Sequence, residues 1–299
     1  MHNAFRLTLG VALAALAVAA CNEAAVAPPS QQDQVLAAEQ EQLGAMVDGD
    51  FGTSGAAATA PAPAPVTAAG PVSAPADTAP TFWGRLRVVP GGPRPIYHRD
   101  VTIQGDTAQV EHDVTYNGVF LVDSSADGVF NPSAKPLADR MTQRAVLVRD
   151  AAMRYGWRVV ELSPQDWTTV DPARQTVVVT DVQVYRNGTL LVGVTDPSAL
   201  LDVTTHIPQF HLGDTVKVVA AVTPPSFVFL HVRHSDPSGT TWHRVEMTDN
   251  GDGTYQRSWI ARSTGIDRFV VDALDAATLL RGTADNYRAN EVGIPYRIE

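Results

Sequence analysis

Residues 176–194 read TVVVTDVQVYRNGTLLVGV. Apolar and polar residues alternate on both sides of Asn187-Gly188, a dipeptide that tolerates the positive φ of a type I′ turn. The stretch therefore predicts two strands, Thr176 to Tyr185 and Leu190 to Val194, closed by a tight hairpin. Asn187-Gly188-Thr189 also matches a glycosylation sequon, but the turn accounts for these residues without it. Working outward, the same period of two marks strands at Val101 to Gln104, Ala108 to Tyr116, Val119 to Val122, Arg144 to Arg149 and Trp157 to Leu162. Further strands follow at Thr215 to Thr223, Phe227 to His234, Thr241 to Thr248, Thr254 to Ala261, Asp267 to Leu274 and Gly293 to Ile298. A short helix is expected only around Pro136 to Thr142, so the folded part reads as mainly β with a minor α component.

Order begins abruptly at Phe82-Trp83. Before it, residues 22–80 are rich in Ala, Pro, Gln, Ser, Gly and Thr. Such a composition buries too little apolar surface to offset its ordering entropy, and it predicts a disordered tether. A flexible coil of that length spans about 45 Å root-mean-square. One stretch differs: Gln31 to Val47 carries Val35, Leu36, Leu43, Met46 and Val47 among Gln, Glu and Ala, the pattern of a marginal helix.

The formal net charge is −10, which argues against nucleic acid, since phosphate binding needs a basic face. Residues 22–80 hold seven of the 32 acidic residues and no Lys or Arg, so the folded part is only mildly acidic. The tail offers no polybasic attraction to lipid headgroups.

The single cysteine, Cys21, closes an apolar run that starts at Leu7 behind Arg6. With about 20 apolar residues needed to span a bilayer, this run is too short and fits a secretory h-region. Val18-Ala19-Ala20-Cys21 resembles the lipobox of bacterial lipoproteins. That resemblance implies a signal peptide over 1–20, a lipidated Cys21, and membrane attachment through acyl chains. Asn22 resembles an outer-membrane rather than an inner-membrane address. No second thiol is left for a disulfide, a CxxC metal site or a nucleophile.

A boundary is expected at Leu212-Gly213-Asp214, dividing a β-rich middle domain (81–211) from a C-terminal β-sandwich (212–299). Met247 to Tyr255, with its Asp249-Asn250-Gly251-Asp252-Gly253 turn, resembles the hairpin of bacterial immunoglobulin-like domains, without the paired cysteines of antibody domains. Fold resemblance carries no function.

Chemical motifs are sparse. An EF-hand-like alignment of the same turn puts Thr248, Asn250, Asp252 and Trp259 at ligand positions, and Trp259 cannot close the site. A second alignment from Asp123, through Ser125, Asp127 and Gly128, ends on Ala134 and lacks the closing Glu. Both stretches read as turns. His206, His211, His231, His234 and His243 cluster in sequence, but strand alternation puts His231 and His234 on opposite faces. No nucleophile elbow, phosphate loop or zincin motif occurs, so no catalytic residue, metal or cofactor is assigned. Of Trp83, Trp157, Trp167, Trp242 and Trp259, Trp242 alternates away from Val245 and Met247 and is the candidate for contacting a partner. The expectation is a non-enzymatic, lipid-anchored binding or scaffolding protein of the cell envelope, its partner a protein or, through exposed aromatics, a carbohydrate. The alternative is an extracytoplasmic hydrolase or hydrolase accessory protein with its site in the middle domain. A third reading makes the middle domain a curved sheet closed over a ligand pocket.

Overall fold

The computed structural model describes residues 29–47, 82–89, 91–123, 131–224, 226–236, 239–280 and 287–299. The chain is mainly β, in two sheets, with helix α1 at Gln31–Val47 and the short helix α2 at Ala276–Leu280. The first half of the folded part contributes β1 (Phe82–Leu86), β2 (Ile96–Gln104), β3 (Thr107–Asp123) and β4 (Ser133–Arg149). It continues through β5 (Trp157–Leu162), β6 (Gln165–Thr169), β7 (Val178–Arg186) and β8 (Thr189–Val194). Short pairings β9 (Leu201–Asp202) and β10 (Gln209–Phe210) lead into β11 (Thr215–Thr223), β12 (Phe227–Asp236) and β13 (Gly239–Glu246). The last strands are β14 (Thr248–Asp249), β15 (Thr254–Ile260), β16 (Gly265–Leu274) and β17 (Ala289–Ile298).

The larger sheet runs β1-β3-β4-β6-β17-β16-β12-β13. It curls until its two ends meet. Arg244 on β13 donates from Nη1 to the Trp83 carbonyl on β1 at 2.8 Å, and its guanidinium lies 3.6 Å from the centre of the Trp83 ring. The edge carbonyl is thus satisfied by a side chain rather than by a neighbouring strand. The smaller sheet runs β14-β15-β11-β7-β8.

β12, β16 and β17 belong to two cores at once. One face presents Val228, Leu230, Phe269, Val271, Val292 and Ile294 to Val182, Val184, Val216 and Val218 of the smaller sheet, forming a sandwich core. Alternate residues on the other face, His231, Asp272 and Glu291 among them, are buried inside the curl. Each fully buried Val or Leu of the sandwich contributes about 1.5–3 kcal/mol.

Most expected strands occur. The 176–194 hairpin is β7–β8, with Asn187 and Gly188 at φ 50° and 88°. Three expectations differ from what is found. Pro136 to Thr142 is no helix: it lies in β4, where Lys135, Leu137, Asp139, Met141 and Gln143 alternate into the interior. Leu212 does not divide the strands, because β11 pairs with β7 while β17 pairs with β6. Each sheet thus draws on both sides of the expected boundary, and the sandwich is not made of 212–299 alone.

Third, residues 31–47, assigned to the tether, form α1 packed on the body. Ser30 and Asp33 make a reciprocal cap, Asp33 N–H donating to Ser30 Oγ at 3.1 Å and Ser30 N–H to Asp33 Oδ2 at 3.0 Å. Val35, Ala38 and Leu43 are buried against Ala108, Val110, Ala145, Leu147 and Trp157. Cys21, with residues 22–28 and 48–80 of the tether, lies outside the described residues.

Where β1 ends, the chain crosses β3 at Gly118. A Cβ there would overlap the Leu86 carbonyl oxygen and press on Arg87 Cα, both backbone atoms that cannot swing away. Gly118→Ala should therefore lower stability by about 1–3 kcal/mol in chemical denaturation, whereas Gly193→Ala, which meets nothing within 4 Å, should cost less.

Candidate functional site

β1 and the residue that follows it carry Trp83, Arg85 and Arg87 at alternate positions, and all three side chains are buried in the curled sheet. Arg85 forks onto Asp272 of β16, with Nη1–Oδ2 at 2.6 Å and Nη2–Oδ1 at 2.8 Å. Its Nε donates to the Tyr287 hydroxyl at 2.8 Å, and Nη2 lies 3.0 Å from Glu291 Oε1 on β17. Arg87 donates from Nε to Asp139 Oδ2 on β4 at 3.1 Å and from Nη2 to Glu291 Oε1 at 2.6 Å. Its guanidinium sits 4.1 Å from the centre of the Trp167 ring. The Tyr287 hydroxyl in turn donates to Asp139 Oδ2 at 3.1 Å.

Every member of this network is buried. Burial by itself would raise the Asp272 carboxyl, but Arg85 and the His231 hydrogen bond outweigh it and hold the group well below the usual range. His231 is pushed down, chiefly by burial, and is neutral; its Nε2–H donates to Asp272 Oδ2 at 2.9 Å. Burial also pushes Tyr287 well up, so it stays a phenol. Arg244 is lowered to about 10 by burial, against the attraction of Asp272.

Glu291 behaves differently. Two guanidinium groups, Arg85 and Arg87, face three carboxyl groups, Asp139, Asp272 and Glu291. Glu291 is buried among these groups and faces both other carboxyl groups as well as the two guanidinium groups. Its Oε1 accepts from Arg87 Nη2 and pairs with Arg85 Nη2, while its buried Oε2 has no hydrogen-bond partner among the described residues. Burial first, then Asp272 and Asp139, push it up to about 7 against the pull of both arginines.

Open space lies beside this network, in a cleft of about 570 Å³ lined by Val89, Pro93, Val119, Pro136, Leu137 and Val170, with Tyr287 also among its walls. Asp171 and Arg174 at the cleft pair with each other at 3.5 Å, and Val170 is 44 % exposed. Tyr287 is the one member of the ionic network that reaches this cleft.

Trp242, the expected partner contact, is half-buried on the same face of β13 as Arg244, packed against Val114, Tyr116, Met141 and Trp167 with the Arg268 guanidinium 5.4 Å away. The 249–253 turn uses its acids internally: Asp249 accepts from Gly251 N–H and Asp252 from Thr254 N–H. In the other calcium candidate, Asp123 accepts from Asn131 N–H, and residues 124–130 lie outside the described residues. His206 contacts Thr205, and His211 faces Asp214 at 3.5 Å. Among the described residues no three His, Cys, Asp or Glu side chains converge as metal ligands.

Sequence reasoning missed Arg85, Arg87, Asp272 and Glu291. A signal existed in Phe269-Val270-Val271-Asp272-Ala273-Leu274 and Asn290-Glu291-Val292-Gly293-Ile294, where one acid interrupts an apolar run and needs a buried partner. Comparison with protein-family models, with curated proteins and with solved structures gave no match.

Two outcomes are expected. Arg85→Met should cost about 3–5 kcal/mol in equilibrium denaturation by stranding Asp272, and adding Asp272→Leu should recover part of that loss. The pH dependence follows from Glu291: its folded-state pKa of about 7 exceeds the ordinary 4.5 of the unfolded chain, so the folded state binds the proton more tightly. This group therefore favours folding at low pH, and that contribution is lost as pH rises towards 7. Glu291→Gln should gain thermal stability relative to wild type between pH 5 and pH 8; parallel curves would show that Glu291 keeps its ordinary pKa.

Proposed function

We propose that this chain is a membrane-anchored extracytoplasmic lipoprotein whose β body acts as a non-enzymatic binding or scaffolding protein of the cell envelope. One observation carries the second half: the charged groups of the curl are spent on one another, while the open cleft beside them is walled mainly by apolar side chains. A hydrolytic site needs an acid, base or nucleophile aimed into a cavity. Here the polar side chains at the cleft are Tyr287, held in the network, the Asp171–Arg174 pair, Asn117 and Thr169. Apolar walls with a few polar groups suit docking of a protein segment. The anchoring half rests on the resemblance of Val18-Ala19-Ala20-Cys21 to a lipobox, and Asn22 favours the outer membrane.

A photo-crosslinking residue at Val170, placed in the full chain in intact envelopes, should give a discrete protein adduct. Arg174→Glu should reduce that adduct several-fold, and Cys21→Ala should move the chain out of the membrane fraction. Hydrolysis of a generic ester or glycoside by the purified protein, abolished by Tyr287→Phe, would instead establish the hydrolase alternative.

A further inference from the structure

α1 is connected to β1 by residues 48–81, a longer stretch than the helix itself, yet it is built into the body by polar contacts as well as apolar ones. Glu39 and His112 are both buried, with His112 Nε2 at 2.8 Å from Glu39 Oε1. Arg99 Nε donates to His112 Nδ1 at 3.2 Å, which places the ring proton on Nε2, directed at Glu39. Gln42 acts as a short piece of strand: its Nε2 donates to the Trp157 carbonyl at 2.9 Å and its Oε1 accepts from Val159 N–H at 3.0 Å. The amide thereby satisfies backbone groups of β5 that its strand pairing leaves over. Gln32 Nε2 reaches the Val101 carbonyl of β2 at 3.3 Å. Withdrawing α1 would strand His112 and the β5 backbone and uncover Leu147 and Trp157, so this groove is shaped for this helix.

We infer that α1 is a clasp that sets how far the body stands from its lipid anchor. The docking stands on the contacts above; the anchor end rests on the lipoprotein reading. With α1 docked, only Asn22 to Ser30 separates Cys21 from the folded body, and nine residues reach at most about 30 Å. With α1 released, the connection becomes residues 22–81, a length of chain that can reach at most about 200 Å. Most helical stability in a protein comes from tertiary packing, so α1 is expected to lose helicity once released. The two states therefore differ sharply in reach, and residues 48–81 lengthen the leash only when the clasp opens.

The test uses membranes carrying the full chain with a protease recognition sequence inserted between Gly55 and Pro80. After complete cleavage and immediate sedimentation, at least nine-tenths of the wild-type body should remain with the membranes, held only by docked α1. Leu43→Asp should release the body on cleavage, a rise of about tenfold in the soluble fraction. Should Leu43→Asp lose cooperative unfolding, Glu39→Ala provides the same reading. Prompt release of the wild-type body would overturn the clasp. Failure of the uncut chain to sediment would overturn the anchor, and with it the standoff. Docking is then read separately on the soluble Cys21→Ala chain: the cleaved helix should co-elute with the body, and separate elution would refute docking itself.

Discussion

A buried guanidinium cannot be left alone, and Arg85 at the start of the folded body has to find carboxylates somewhere in the chain. It finds Asp272 and Glu291, about two hundred residues later, on adjacent strands of the same curled sheet. The bidentate fork to Asp272 sets the register of β1 across the interior, because a slip by one residue would turn Arg85 out and a slip by two would replace it with Trp83 or Arg87. Everything else in the interior answers to this pairing. Arg87 adds a second cation, Asp139 and Glu291 complete the carboxyl set, and Tyr287 joins Arg85 to Asp139. Burial and the neighbouring carboxylates weigh most on Glu291, whose second oxygen has no hydrogen-bond partner among the described residues.

The architecture makes such a polar interior tolerable. β12, β16 and β17 turn their apolar faces to the smaller sheet and so acquire stability from a conventional sandwich core. Only the opposite face is committed to ions. Arg244 then closes the remaining gap by capping the Trp83 carbonyl. The charged groups of the curl are thus paired mainly with one another, and the apolar cleft lies beside them at Tyr287.

Local signals in the chain were read well where one element explains itself. Asn187-Gly188 specified its hairpin, and alternation located β5 and β11 at Trp157–Leu162 and Thr215–Thr223. Pro136 misled because proline at a strand position resembles a helix start, while the buried alternation of Lys135, Leu137 and Asp139 includes two charged residues that read as solvent-facing. Trp83-Gly84-Arg85-Leu86-Arg87 gave no local sign of its role, because alternate arginines resemble an exposed face until their partners are known. The expected boundary at Leu212 failed because pairing of β7 with β11 and of β6 with β17 joins residues far apart in the chain and leaves no local trace.

The sequence by itself determined the β character, most strand positions and the position of α1, because periodicity, capping and turn chemistry act over a few residues. It also determined the anchoring expectation, which depends on a short stretch around Cys21. Only the tertiary structure decided that α1 docks rather than floats, that the two halves of the chain share both sheets, and that the charges of β1 are interior. Those outcomes depend on which distant groups meet, and a buried ion or a helix face has no preference that can be read until its partner is in place.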